Sequence, residues 1–147
     1  MTLDIRPLLA VGELQAIRPQ PRQAAALLTT GSSEADYAAM LAAGPGFVAY
    51  DAAGPLGAVG LAVRWRGNAA AWALLSERAM HDPVGGVMIT AMARRMLEDA
   101  GFERIECHVE ESWERAHRWV KALGFASEGL MRKFVDGRDF RLYARVR

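Results

Sequence analysis

Apolar and polar positions change period several times along this chain, and each change marks an expected element. Leu3 and Ile5 alternate with Asp4 and Arg6, which predicts a short first strand over residues 2–9 that Pro7 interrupts. Residues 12–30, rich in Ala, Leu and Gln, have helical composition, divided by Pro19 and Pro21. Ser33 is an expected N-cap for a helix running through Ala43, with Glu34 and Asp36 in its first turn, and Gly44-Pro45-Gly46 ends it. Two apolar strands follow over 47–51 and 56–63, joined through Ala53-Gly54-Pro55. A third over 70–76 lies beyond a Gly67-Asn68 turn signal, so an antiparallel meander is expected. The run of small residues Ala69, Ala70, Ala71 and Ala73 suits either a buried strand or close approach by a helix or ligand.

The second half switches to helical periodicity. Gly85-Gly86 opens an amphipathic helix over 83–100. Met88, Met92 and Met96 share its apolar side with Val84, Val87, Ala91 and Leu97, while Arg94, Arg95, Glu98 and Asp99 hold the other side. Methionines at this spacing read as core packing, not as a metal box. Gly101 is placed as the helix-ending C′ residue, with Phe102 folding back over the last turn. Residues 104–109 alternate as a strand, Ile105, Cys107 and Val109 on one face and Arg104, Glu106 and His108 on the other. Strand, helix and parallel strand then make one right-handed crossover. Ser112 is the expected cap of a further helix bearing Trp113, Ala116, Val120 and Leu123 on its apolar side and Trp119 beside them; Gly124 closes it. Residues 125–134 and 140–146 form a last hairpin around Asp136-Gly137. The sum is an α+β chain of about seven strands and four helices without internal repeats.

Composition narrows what such a chain does. At 147 residues it is expected to be one domain, 1–147, and 52% hydrophobic with 24% charged residues is a globular balance. The net charge of +1 is spread evenly, with no polybasic run, so nucleic acid is not an expected partner. No apolar stretch approaches a membrane span and no targeting segment is visible, so a cytoplasmic protein is expected. The single Cys107 allows no internal disulfide or cysteine-rich zinc cage, and His81, His108 and His117 have no zinc spacing, so no metal is assigned.

In the order of these parts the chain resembles the GCN5-related N-acetyltransferase (GNAT) superfamily, and more narrowly small acetyltransferase-like proteins of bacteriophages and prophages. The resemblance spans almost the whole chain. It is carried by Trp72-Ala73-Leu74-Leu75-Ser76, Gly85-Gly86, the stretch from Arg115 to Phe125 ending Leu123-Gly124-Phe125, Glu128-Gly129, and the closing Gly137-Arg138-Asp139-Phe140 with Leu142-Tyr143. It implies α/β/α-like layers, a mixed and mostly antiparallel sheet of six to seven strands, and a cleft where strands 70–76 and 104–109 splay apart. It also implies acetyl-CoA as cofactor, lying along Leu74, Leu75 and Ser76, with its pyrophosphate on Val84, Gly85, Gly86 and Val87 and further contacts from Trp113, Ala116 and Trp119. The partners implied are acetyl-CoA and an amine acceptor of unknown identity, with a homodimer or a phage protein as further possibilities. Three positions depart from the family pattern. Asp82 stands where the loop usually has Arg or Gln, Trp113 where the helix motif has Asn, and Val120 where it has the tyrosine that protonates the departing thiolate. A fold-retaining interaction protein, phage or virion associated, is therefore the alternative to an N-acetyltransferase.

Direct attack by an amine requires that a base first remove its proton, since a lysine-like amine has a pKa near 10.4. The candidates are Glu77 after the cofactor strand, His81 before the pyrophosphate turn, and His108 and Glu110 at the end of the second splayed strand. Tyr143 is the candidate replacement acid. A backbone N–H near Leu75 or Ser76 is the expected oxyanion donor. Cys107 alternates with core residues and reads as packing. Trp65 between Arg64 and Arg66 reads either as a contact site or as a strand-end aromatic kept soluble by its neighbours.

Overall fold

The computed structural model describes residues 3–18 and 34–147. The elements run β1 (Asp4–Pro7), α1 (Val11–Gln15), α2 (Glu34–Ala42), β2 (Gly46–Asp51), β3 (Gly54–Trp65) and β4 (Asn68–Leu75). They continue with α3 (Glu77–His81), α4 (Pro83–Asp99), β5 (Arg104–Glu110), α5 (Glu114–Ala122), β6 (Ala126–Val135) and β7 (Arg138–Val146). Of the helical stretch expected over 12–30, α1 lies within the described residues; the rest of it and the Ser33 cap lie outside them.

The seven strands form one mixed sheet in the order β1-β2-β3-β4-β5-β7-β6, with β4 and β5 as its parallel pair. This is the expected α+β architecture. The Asp136-Gly137 turn has φ of 49° and 72°, the double positive φ of a tight two-residue hairpin turn, as the Asp-Gly signal predicts. The turn into β4 is shifted by one residue: Arg66 and Gly67 make it, with Gly67 at φ 81°, and Asn68 already belongs to the strand. Ser112 does not cap α5. Trp113 occupies the N-cap position without a side-chain cap, and Ser112 Oγ donates to Glu110 Oε1 instead (3.1 Å). The five-residue α3 is not anticipated by periodicity, being too short to show one; Ser76 Oγ caps it by accepting the Ala79 N–H (3.2 Å).

Helices cover both faces of the sheet. On one face Ile89, Met92, Ala93, Met96 and Leu97 of α4 and Val120 of α5 pack on Val59, Leu61, Ile105, Cys107 and Tyr143. On the other, Leu14 and Ile17, with Tyr37 of α2, pack on Val48, Ala58 and Leu74. The core stripe of α4 is rotated from the expected one. Ile89 and Ala93 are buried, whereas Val84, Val87 and Ala91 are exposed, because the helix carries apolar residues around more of its circumference than the sheet can cover.

Gly60 of β3 is fixed by its neighbour on β4. A Cβ there would lie 2.3 Å from Cζ2 and 2.7 Å from Nε1 of Trp72, so the indole rests directly on the glycine backbone. Gly60→Ala is expected to displace the ring and cost about 2 kcal/mol by overpacking, lowering the melting midpoint by roughly 4–8 °C, measurable by calorimetry.

Candidate functional site

The pairing of β4 with β5 lasts only three residues. Asn68, Ala69 and Ala70 pair with Arg104, Ile105 and Glu106, after which β4 stays with β3 and β5 stays with β7. The two strands thus diverge toward their C-terminal ends, and a cavity of about 1010 Å³ opens between them. Ala71, Ala73, Leu74 and Leu75 form one wall and Cys107, His108, Val109 and Glu110 the other. Of the alanine run, Ala71 and Ala73 face this space, whereas Ala69 is buried in the paired part of the sheet. The volume lies at the upper end of the range for small-molecule sites, about 300–1,000 Å³, so a large ligand is accommodated.

Backbone direction follows from one hydrogen bond. Ser76 N–H donates to Leu56 O (3.1 Å), and antiparallel alternation then turns the peptide groups of Ala71, Ala73 and Leu75 toward the β5 side. Ser76 is committed elsewhere, its N–H to β3 and its hydroxyl to the α3 cap, and it does not line the cavity. Of the two peptides expected to meet an oxyanion, the Leu75 N–H is the one directed to the cleft.

The start of α4 forms the floor of the site. Asp82 caps this helix, its Oδ1 accepting the Val84 N–H at 3.1 Å, while Asp82 O accepts Gly86 N–H at 2.8 Å. Gly85 is buried against this cap: an added Cβ would sit 2.7 Å from Asp82 Oδ2 and 2.9 Å from Leu56 Cδ2. Gly86 lies one residue further around and lines the cavity; an added Cβ there would have only Ala79 O within 4 Å, at 3.9 Å. Val87 also faces the cavity; Val84 and Gly85 do not.

The third wall is α5, with Trp113, Ala116, Trp119 and Val120. Trp119 reaches across to α4, donating its indole N–H to Thr90 Oγ1 (2.9 Å), while the Thr90 hydroxyl donates to Gly86 O (2.7 Å). The bridge ties the two helices together at one side of the cleft and leaves the remaining volume open.

The base candidates separate by position. Glu77 is exposed on the first turn of α3 and does not line the cavity; His81 ends α3, exposed, on the cavity wall. Glu110 lines the cavity but accepts from Ser112 Oγ (3.1 Å) and pairs with Arg138 (3.2 Å). His108 lines it too, its ring against Phe134 (centroids 4.9 Å), which in turn packs on Phe140 (5.6 Å). Partial burial, and then the Arg64 charge, hold the His108 pKa below the ordinary histidine value while Glu106 opposes them, so the imidazole is neutral at pH 7. Cys107 is pushed up to about 12 by burial and is a protonated, inert thiol at neutral pH.

Tyr143 lies under α5, 1% exposed, and does not line the cavity; burial raises its pKa. Its hydroxyl is 2.6 Å from His117 Nδ1, and His117 Nε2 is 2.9 Å from Glu111 O. Since the carbonyl only accepts, Nε2 donates to Glu111 O, which leaves Nδ1 facing the tyrosine hydroxyl. The sequence carries one signal for His117: its place four residues after Trp113 and three before Val120 sets it on the buried side of α5. His117→Ala would leave the tyrosine hydroxyl buried without this partner. It is expected to cost about 2 kcal/mol in chemical denaturation, a loss that Tyr143→Phe in the same chain largely relieves.

Three arginines stand on the cavity wall at positions whose sequence pattern signals only a solvated helix side. Arg94 Nη2 donates to Ala122 O (3.1 Å), Arg115 Nη2 donates to Met80 O (3.0 Å), and Arg118 lies between them on α5. Among the described residues no group of three or more His, Cys, Asp or Glu side chains gathers to hold a metal ion, and no helix is long and apolar enough to cross a membrane.

No protein-family model matches the chain, and no curated protein sequence matches it. Its structure is similar to that of a putative phosphinothricin N-acetyltransferase, at TM-score 0.76 and 17% identity over 99% of this chain and 98% of that one. It is likewise similar to the IAA acetyltransferase from Bacillus cereus ATCC 14579, with TM-score 0.71 and 15% identity over 99% and 100% of the two chains. A GNAT family acetyltransferase from Elizabethkingia anophelis, solved with acetyl-CoA bound, aligns at TM-score 0.68 and 14% identity over 99% and 98%. The fold is therefore that of the GNAT acetyltransferases, in its mixed sheet, its single parallel pair and its helices.

Proposed function

We propose that this chain is an N-acetyltransferase that transfers an acetyl group from acetyl-CoA to a primary amine. The observation that carries the reading is the divergence of β4 and β5 after three paired residues, which opens a cavity of about 1010 Å³ walled by both strands, α4 and α5. Ala71 and Ala73 keep one wall low enough for a slender chain to lie along β4, and Gly86 leaves the floor open where α4 begins. Acetyl-CoA would supply the thioester from which the acyl group leaves.

The chain's own residues divide the remaining work. The Leu75 peptide, on the side of β4 turned toward β5, borders the space a thioester would occupy. His108, neutral and steadied by Phe134, takes the proton from the amine; Glu110, already paired with Arg138, is the weaker base. Val120 offers no proton for the leaving thiolate. A thiol of pKa near 8.5 is partly stable as thiolate at neutral pH, so transfer proceeds without a dedicated acid, at modest rate.

A second reading, a GNAT-fold interaction protein of phage or virion, is favoured by Asp82 at the head of α4 and by the Trp119–Thr90 bridge across the helices. The two are separated by following thiol release from acetyl-CoA with small amines, peptide α-amines and lysine peptides. Release that depends on one acceptor class supports the transferase; binding of acetyl-CoA with no release above background for any of them supports the interaction protein.

A further inference from the structure

Resting on the acetyl-CoA reading, we propose that this chain grips the phosphates of its acyl donor with arginine side chains along the groove between α4 and α5, and not with the N-terminal amides of α4. Arg94, Arg115 and Arg118 form that grip.

Part of the donor set at the head of α4 is already used, and the first helical residue supplies no donor. Pro83 has no N–H, the Val84 N–H is held by the Asp82 carboxylate, and the Gly86 N–H by the Asp82 carbonyl. The negative end of a capping carboxylate also sits here, its Oδ2 packed toward Gly85. A diphosphate arriving at this point would meet a fixed anion where the helix would otherwise attract it.

The groove beside it has the opposite character. On the sheet, Arg64, Arg104, Arg138 and Arg141 are each closed by a carboxylate, whereas Arg132 and Arg145 have none among the described residues but lie away from the cavity. Arg94, Arg115 and Arg118 have no carboxylate partner among the described residues, yet all three line one cavity. Two are anchored by carbonyls, Arg115 at Met80 beside the head of α4 and Arg94 at Ala122 at the far end of α5, and each guanidinium keeps further N–H donors for a ligand. From Arg115 to Ala122 the helix rises roughly 10 Å. The positive charge is thus strung along a groove, which suits a nucleotide bearing a diphosphate and a separate phosphomonoester better than a single compact anion. Of the acidic groups on the same cavity wall, Glu110 is neutralised by Arg138, and Asp82 stands at the head of α4.

The test is calorimetric titration of the full chain and of Arg115→Gln and Arg118→Gln with acetyl-CoA, adenosine 3′,5′-bisphosphate and S-acetylpantetheine. Both positions are exposed, and Arg118 makes no hydrogen bond among the described residues, so Arg118→Gln is the cleaner arm and should melt as the parent does. Each substitution is expected to weaken acetyl-CoA and the bisphosphate about tenfold and to leave the weaker binding of S-acetylpantetheine unchanged, with a shallower salt dependence for acetyl-CoA. Parent-like acetyl-CoA affinity in both variants would overturn the arginine grip while leaving the acyl-donor reading intact. Failure of the parent chain to bind acetyl-CoA or the bisphosphate would overturn that reading, and the grip with it.

Discussion

Gly86→Glu is expected to weaken acetyl-CoA binding by about 100-fold or more, roughly 3 kcal/mol, while the protein melts at or slightly above the parent temperature. Gly86 sits in the first turns of α4, half-buried, on the cavity floor, with nothing but Ala79 O near its missing Cβ (3.9 Å). A glutamate there enters the cleft without striking the core, and replacing a helical glycine gains up to about 1 kcal/mol of helix propensity. Its side chain would then fill the cavity floor that a bound donor covers, and its carboxylate would add a second negative charge beside Asp82. Gly85→Glu, one residue earlier, is the control with the opposite signature. Its Cβ meets Asp82 Oδ2 at 2.7 Å and Leu56 Cδ2 at 2.9 Å, so the cap and the core both give way, and folding is lost before binding can be read. Titration and thermal melting of the two variants side by side check this. Intact binding in Gly86→Glu would place the ligand elsewhere.

His108→Ala is expected to lower kcat about 100-fold at pH 7 with acetyl-CoA affinity within about twofold of the parent, the typical scale for removing a general base. The sign of the pH dependence is fixed by the base role. The imidazole must be neutral to take a proton, so the parent rate rises as pH increases through the His108 pKa and then levels. Burial and Arg64 set that midpoint below the ordinary histidine value near 6.5, so the rise falls at lower pH than a free imidazole would give. The variant should lose this acidic limb as well as rate. Phe134→Ala, which removes the ring beside the imidazole, should move the midpoint back toward 6.5 by exposing it. An acidic limb that survives in His108→Ala would assign the base to another group, with His81 the next on the cavity wall.

Much of the fold is legible in the chain because the signals are long or local. The alternation of Ile105, Cys107 and Val109 and the Asp136-Gly137 turn each specify their own geometry within a few residues, and both appear as expected. The splay between residues 70–76 and 104–109 is implied by the family resemblance, not by either strand's own pattern. Its extent, three pairs and no more, is a property of the assembled sheet. The site is less legible for the same reason. By sequence order alone Ser76 is available to the acyl group, but its N–H and hydroxyl are committed to Leu56 and Ala79, partners twenty and three residues away. Gly85 and Gly86 are both expected at the pyrophosphate, yet helical rotation turns one into the core and the other to the cleft. Arg115 and Arg118 read as the solvated side of an amphipathic helix, and only the placement of α4 beside α5 makes that side a cavity wall.

The central question is whether the cleft between β4 and β5 holds an acyl-CoA. Trp72, Trp113 and Trp119 line it, so their fluorescence in the full chain, followed against added acetyl-CoA, reports occupancy directly. A saturable change at one-to-one stoichiometry, with Kd tighter than about 100 µM (roughly −5.5 kcal/mol) and reversed by CoA, is the expected result. No change up to about millimolar acetyl-CoA, from a sample that still melts cooperatively, would contradict it.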